Sequence, residues 1–368
     1  MTSTSFIHSR GIYWLLPDTQ GPLLACLCLL LFALGFYLVW PGIARCYRQV
    51  RVTADWFTRA TAPRPRNPTA GLPVSLYSAP DRQRSGMSRL ARRIKLCIRG
   101  LIHPRQTRRW LDFWNLTSTH VTLAIATPRL LQKIYRPYQS LHLRHPERLD
   151  ILTSHYDFII RQGLAPLVLQ ASRQRIPIGL FNGKSGDPYE VRLAAIDSLD
   201  REGELALHLY RNDQHLFSTA FTFYRQQGLW CIGIGCLQGP GGADSREHVR
   251  RATRDMFGLR PKALMIRLVR AIGAGYGCAR MVLVSNHNRV SNHRCKRDRV
   301  HADYDAFWLE LGAAQRGDGD YELSCEEPTP TDINELPSRK RAEARHRLAL
   351  TQQAAQEIGR VMVRLKKP

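Results

Sequence analysis

The sequence predicts a mixed α/β (α+β) fold: an antiparallel meander followed by helices and a parallel strand, behind an N-terminal transmembrane helix. Three observations predict it. No charged residue occurs between Asp18 and Arg45. Four β-rich runs follow one another, at 189–196, 204–210, 216–224 and 229–237. After Gly239-Pro240-Gly241-Gly242 the pattern turns helical, interrupted by one short apolar run at 280–285.

The N-terminal segment, 1–20, leads into an apolar run at 21–44. About 20 such residues in a helix span the hydrocarbon core, and the run exceeds the apolar region of a signal peptide. Arg45, Arg48 and Arg51 follow it, against mainly Arg10 before it. The positive-inside rule therefore places the C-terminal part in the cytoplasm of a single-pass inner-membrane protein. Tyr13, Trp14, Trp40 and Tyr47 are the expected interfacial anchors.

Residues 45–86 read as a juxtamembrane, proline-rich linker, because Pro63, Pro65, Pro68, Pro73 and Pro80 forbid regular structure. Between Arg82 and Arg109 the chain carries ten Lys or Arg and no acid. Leu90, Ile94, Cys97, Ile98 and Leu101 recur there at helical spacing. This predicts a basic amphipathic helix, either lying on anionic lipid headgroups or packed on the domain. Residues 110–170 read as mainly helical, with Trp110, Phe113, Trp114, Leu131, Tyr135 and Tyr138 as core.

Asp-Ser, Arg-Asn-Asp and Gln-Gln-Gly turn signals separate the four β-rich runs, which makes them a meander. Helices follow at 245–256 and 261–276; Pro261 suits a first turn and Gly277 a helix end. A polar loop leads from the 280–285 strand to a helix at 303–311 with Asp303 as its natural N-cap. The basic tail, 338–368, reads as a helix without an evident partner. The folded domain is expected at 87–350, helical over 87–175 and sheet-containing over 176–325.

A total of 54 Lys+Arg against 30 Asp+Glu leaves a formal charge of +24. Such a field favours anionic partners. No DNA- or RNA-binding motif accompanies it, so nucleic acid is not an expected partner. Nine cysteines without a C-x-x-C pair fit a reducing compartment.

From Cys231 onward the chain carries Ile234-Gly235-Cys236-Leu237-Gln238-Gly239-Pro240, Gly258-Leu259-Arg260-Pro261-Lys262, Val284-Ser285-Asn286, Ala302-Asp303-Tyr304-Asp305-Ala306-Phe307-Trp308 and Glu335-Leu336-Pro337-Ser338-Arg339-Lys340-Arg341. Together these resemble the VirK/YbjX family of bacterial proteins, a domain of unknown function. The resemblance extends back through Glu202-Gly203-Glu204-Leu205 and Leu152-Thr153-Ser154-His155-Tyr156 to about Met87. It implies a part in virulence, envelope remodelling or tolerance of cationic antimicrobial peptides, and supplies no catalytic residues.

The order of elements also resembles the core of GNAT-type acyltransferases. That resemblance implies an acyl-CoA or acyl carrier protein donor, its phosphates held at the helix start by Gly258, Arg260 and Lys262. The departures are a single glycine before the helix and Pro261, which removes an N–H donor. His287, Asp303 and Tyr304 are the candidates for catalysis, at the carboxyl end of the 280–285 strand. His287, His293, Cys295, His301 and Asp303 are metal-ligand types, but interleaved arginines oppose a cation and no metal is expected. An acyltransferase of this kind should show a cleft between the strands at 229–237 and 280–285. A filled seam there favours a non-catalytic lipid- or protein-binding factor.

Overall fold

The structure, a computed structural model, describes residues 73–76, 78, 86–127, 129–195, 199–242, 244–293, 302–326 and 335–365. The transmembrane helix expected at 21–44 lies outside the described residues, as do most of the linker and the loop bearing Cys295 and His301. Among the described residues no helix is long and apolar enough to cross a membrane.

Helices come first: α1 (Gly86–Ile102), α2 (Pro104–Trp114), α3 (Ser118–Ala126), a 3-10 turn (Leu130–Tyr135), α4 (His145–Arg161) and α5 (Ala165–Ala171). α2, α4 and α5 each carry proline in the first turn, where a missing N–H breaks no helical bond. The Glu147 carboxylate accepts from Arg144 N at 2.6 Å and closes the start of α4. Trp110 and Trp114 are fully buried and meet edge to face at 5.1 Å. Part of the proline-rich stretch is folded with them. Val74 is buried, and its N–H and carbonyl bond the Asn115 side chain at 2.8 and 3.0 Å.

An eight-stranded, mostly antiparallel sheet follows in the order β1-β2-β3-β4-β5-β6-β8-β7. Its strands are β1 (Ile176–Asn182), β2 (Pro188–Ala195), β3 (Leu205–Arg211), β4 (Gln214–Gln226), β5 (Leu229–Gln238), β6 (Arg280–Leu283), β7 (Ala314–Gln315) and β8 (Tyr321–Ser324). β1 to β5 form the expected meander, extended by β1, which the strand pattern of the sequence does not reveal. β1 contains Pro177 and Gly179, both poor strand formers, and its register shifts between them, which blurs the two-residue period. β5 and β6 are parallel, from Cys231↔Arg280 to Ile234↔Leu283.

β4 runs past the start of β3, whose pairing begins at Leu205↔Phe221. α4 covers the edge left open: Phe223 N–H donates to His155 Nδ1 at 3.2 Å, and Phe158 stacks on Phe223 at 4.3 Å. α6 (Ser245–Asp255) and α7 (Pro261–Gly275) join β5 to β6, and α7 packs across β3 to β6. α8 (Tyr304–Glu310) follows, with Asp303 as its N-cap, accepting from Ala306 N at 3.1 Å.

The basic tail forms α9 (Ser338–Arg364), and here the structure corrects the expectation of a helix without a partner. α9 lies against β1 and α7 and buries Leu350, Ala354, Ile358, Val361 and Met362. That spacing is one helix face. The face was visible in the sequence, but the strand that receives it was not.

Candidate functional site

The parallel pair ends with Val284 N–H on Ile234 O at 3.0 Å, while β5 continues to Gln238. Strands that part in this way leave a seam, and here Tyr304 fills it. Its hydroxyl accepts from Leu237 N at 2.7 Å and donates to Leu237 O at 2.5 Å. The ring is buried, with the Arg289 guanidinium 3.4 Å above it. Burial pushes the phenol well above its ordinary range. Asn286 ties the start of α8 to the end of β6: its Oδ1 accepts from Tyr304 N at 2.8 Å and its Nδ2 donates to Asp303 at 2.7 Å. Trp308 Nε1 donates to Val284 O at 2.9 Å. Tyr304 thus holds the seam shut, Asp303 caps α8, and His287 is exposed.

The start of α7, expected to hold the phosphates of an acyl donor, packs against α8 and α9. Gly258 has φ 77°, and a Cβ there would lie 2.9 Å from Glu343 Oε1 of α9. Arg347 Nη1 of α9 lies 3.9 Å from the same point, so both signs of charge are present there. Arg260 pairs with Glu310, and Lys262 Nζ sits 4.0 Å over the Phe307 ring. Burial, with help from Arg260, pushes the Lys262 ammonium below its ordinary value. The two cations turn to α8 instead of converging on the helix start.

A different cluster lies at the carboxyl end of β6, where α/β sheets commonly hold ligands. A cavity of about 30 Å³ reaches it along β6, bounded by Gln139, His142, Asp318 and Asp320 and, toward the start of β6, by Tyr224 and Gln226, among others. The turn from the 3-10 segment to α4 supplies one wall. Gln139 has φ 56°, its N–H donates to Arg201 O at 2.7 Å, and Leu141 N–H donates to Asn288 O at 2.8 Å. Gly233 admits it: a Cβ there would lie 1.6 Å from Gln139 Nε2.

Asp320 is buried, accepting from Ser140 Oγ at 2.8 Å and from Ser285 N and Asn288 Nδ2, both at 2.9 Å. His142 Nδ1 lies 2.8 Å from Ser140 Oγ and 3.4 Å from Asp320, and its Nε2 lies 3.8 Å from Asp318. Burial opposes ionisation of Asp318, but hydrogen bonding and charge from Arg316 outweigh it and hold the carboxyl below its ordinary range. Apart from Ser285, which lies in Val284-Ser285-Asn286, none of these residues is singled out by the sequence. The one local signal was Gly317-Asp318-Gly319-Asp320, two acids in a glycine-rich turn.

A second feature is a surface. On α1, Leu96 and Gly100 face inward, while Ile94, Ile98, Leu101 and Ile102 are 51, 51, 45 and 64% exposed. Arg93, Lys95, Arg105, Arg108 and Arg109 are exposed around them.

Comparison with known proteins places the chain. The family described as "Protein of unknown function (DUF535)" matches residues 85–360. The uncharacterized protein YbjX of Escherichia coli (strain K12) is 28% identical over 262 residues, 69% of this chain and 78% of that protein. Two uncharacterized proteins of Haemophilus influenzae are 25 and 23% identical, over 46 and 43% of this chain and 56 and 52% of theirs. A mutant of the cAMP-binding acyltransferase from Mycobacterium smegmatis aligns over 60% of this chain and 61% of its own. Its identity of 9% and TM-score of 0.28 are too low to establish a shared fold. With three quarters of its length matched and the VirK/YbjX motifs in place, the chain belongs to the DUF535 family of bacterial proteins.

Proposed function

We propose that this protein is an envelope-associated binding factor that works at the anionic surface of the bacterial inner membrane, docking through the outer face of α1. One observation carries the reading: four large apolar side chains stand out from a helix whose surroundings are cationic. A packed helix turns such residues inward; an interfacial helix turns them outward and rims them with Lys and Arg. Each half-exposed isoleucine or leucine contributes roughly 1 kcal/mol when the remainder is buried. Each nearby cation adds about 1 kcal/mol at an anionic surface.

On this reading the run at 21–44 anchors the chain once in the inner membrane, with the folded domain on the cytoplasmic side. The role in envelope remodelling, virulence or antimicrobial-peptide tolerance follows from the family resemblance. The filled seam between β5 and β6 favours binding over acyl transfer.

Deuterium uptake of the full chain, reconstituted in vesicles, tests the docking. Uptake over residues 93–102 should fall when phosphatidylglycerol is added to phosphatidylcholine and recover in 0.5 M salt, ~3 Å screening lengths being reached near 1 M. Ile98→Glu with Ile102→Glu should remove the effect. Equal uptake in both kinds of vesicle sinks the docking, and release of the chain by alkaline carbonate sinks the anchor.

A further inference from the structure

Two histidines meet where α1 turns into α2 and α4 begins. His103 follows the last residue of α1 and is the N-cap of α2, and His145 opens α4. Their rings stack with centroids 4.0 Å apart and planes at 29°, and Tyr135 lies beyond His103 at 6.4 Å. Both imidazoles are half-buried, so protons reach them. The place is poor for a cation. Burial first, then His103, Arg148 of α4 and Arg99 of α1, hold the His145 imidazole below its ordinary value. Arg148 is fixed by the carbonyls of Arg136 and Leu143 at 2.9 and 3.0 Å. The first turn of α4 adds the positive end of a helix dipole to His145; around His103 the end of α1 and the start of α2 oppose one another. The nearby acids are engaged elsewhere: Glu147 with Arg144 N–H, Asp150 with Arg109 at 2.9 Å and Asp112 with Arg108 at 3.8 Å. α2 and the 3-10 segment contribute the neutral hydroxyls of Thr107 and Tyr135, 2.6 Å apart. Neither ring pairs with a carboxylate among the described residues. Two like charges at this spacing repel, so the stack holds only while at least one ring is neutral.

We propose that this pair is a proton latch on the membrane-docking face of α1, closed while its rings are neutral and opened by an anionic surface. The latch rests on the docking reading and gives it a trigger. His103 directly follows Ile102, which is 64% exposed on the docking face. A surface at about −30 mV concentrates protons roughly threefold and stabilises an imidazolium as it does the arginines. Opening the stack adds charge to the cationic rim, roughly fivefold in affinity for each proton held near the surface. Docking therefore takes up protons and strengthens as pH falls.

Ring-carbon NMR of the histidine-labelled full chain in neutral detergent, from about pH 8 to 5, tests the latch without lipid. The pair should take its second proton at least about tenfold less readily than its first. His145→Phe, which keeps a ring in the stack, should leave a single step. Rings that titrate independently of each other overturn the proposal. In vesicles, the protection from deuterium uptake that phosphatidylglycerol gives residues 93–102 is taken relative to phosphatidylcholine at the same pH. It should grow at least about threefold between roughly pH 7.5 and 5.5. His145→Phe and His103→Phe should each remove most of that growth, and His346→Gln, which deletes an exposed imidazole of α9, should leave it. Growth that persists in both phenylalanine variants, or that His346→Gln removes as well, is an effect of overall charge and sinks the latch. Protection equal at both pH values sinks it while leaving docking intact; protection absent at every pH sinks the docking reading and the latch with it.

Discussion

Lys133 and Glu204 meet at 2.6 Å with side chains 2 and 0% exposed, and Tyr156 donates to the second Glu204 oxygen at 2.5 Å. Tyr138 closes the group through Thr222 at 2.8 Å. Removing one member of such a pair strands a buried charge. Glu204→Gln and Lys133→Met should each cost about 3–5 kcal/mol in urea unfolding, and the double variant far less than their sum. His155 stands beside them. Burial first, and the Lys133 charge second, push its imidazole down to about 3. The unfolded chain titrates near ~6.5, so between these values the unfolded state holds the extra proton. This contribution is complete above the unfolded value and falls by about 1.4 kcal/mol per unit as pH drops below it. His155→Leu should flatten that part of the stability profile; an unchanged slope would show that other groups set it. Ser154-His155-Tyr156 and Glu202-Gly203-Glu204 stand out in the sequence, but nothing local says that they gather around Lys133.

Helices and strands follow their sequence signals where the signal is a repeat or a cap. The meander, Pro261 at the start of α7 and Asp303 ahead of α8 all lie where local pattern puts them. The signal fails where an element is interrupted, as in β1, or where its partner is remote, as for α9. The seam between β5 and β6 belongs to this scale, because one helix start closes it. Acyl-CoA at millimolar concentration should therefore leave the melting temperature of the full chain unchanged; a rise of several degrees would reinstate an acyl-donor site. Tyr304→Phe should cost about 1–3 kcal/mol, since Leu237 N–H and carbonyl lose their partner within buried structure.

At the scale of the whole molecule the excess of basic residues acts against compactness. A formal charge of +24 repels itself, and salt screens that repulsion over about 10 Å at 0.1 M. Raising sodium chloride from 10 to roughly 300 mM should raise the melting temperature of the full chain in neutral detergent; a fall would mean that ion pairs outweigh repulsion. Against this background the carboxylates Asp318 and Asp320 are a local departure in sign, whereas the cationic rim of α1 follows the whole molecule. By itself the sequence determined the mixed α/β class, the order of the meander and helices, the caps, the net charge and the family. Helical and strand periods, turn chemistry and charge are properties of neighbours along the chain. The tertiary structure alone decided that Tyr304 plugs the seam, that α9 covers β1 and that the His142 cavity exists. Those contacts join residues far apart, Lys133 to Glu204 across 71 positions and Ser140 to Asp320 across 180. No local pattern specifies which distant surface a buried group will meet; the packing of the whole core does.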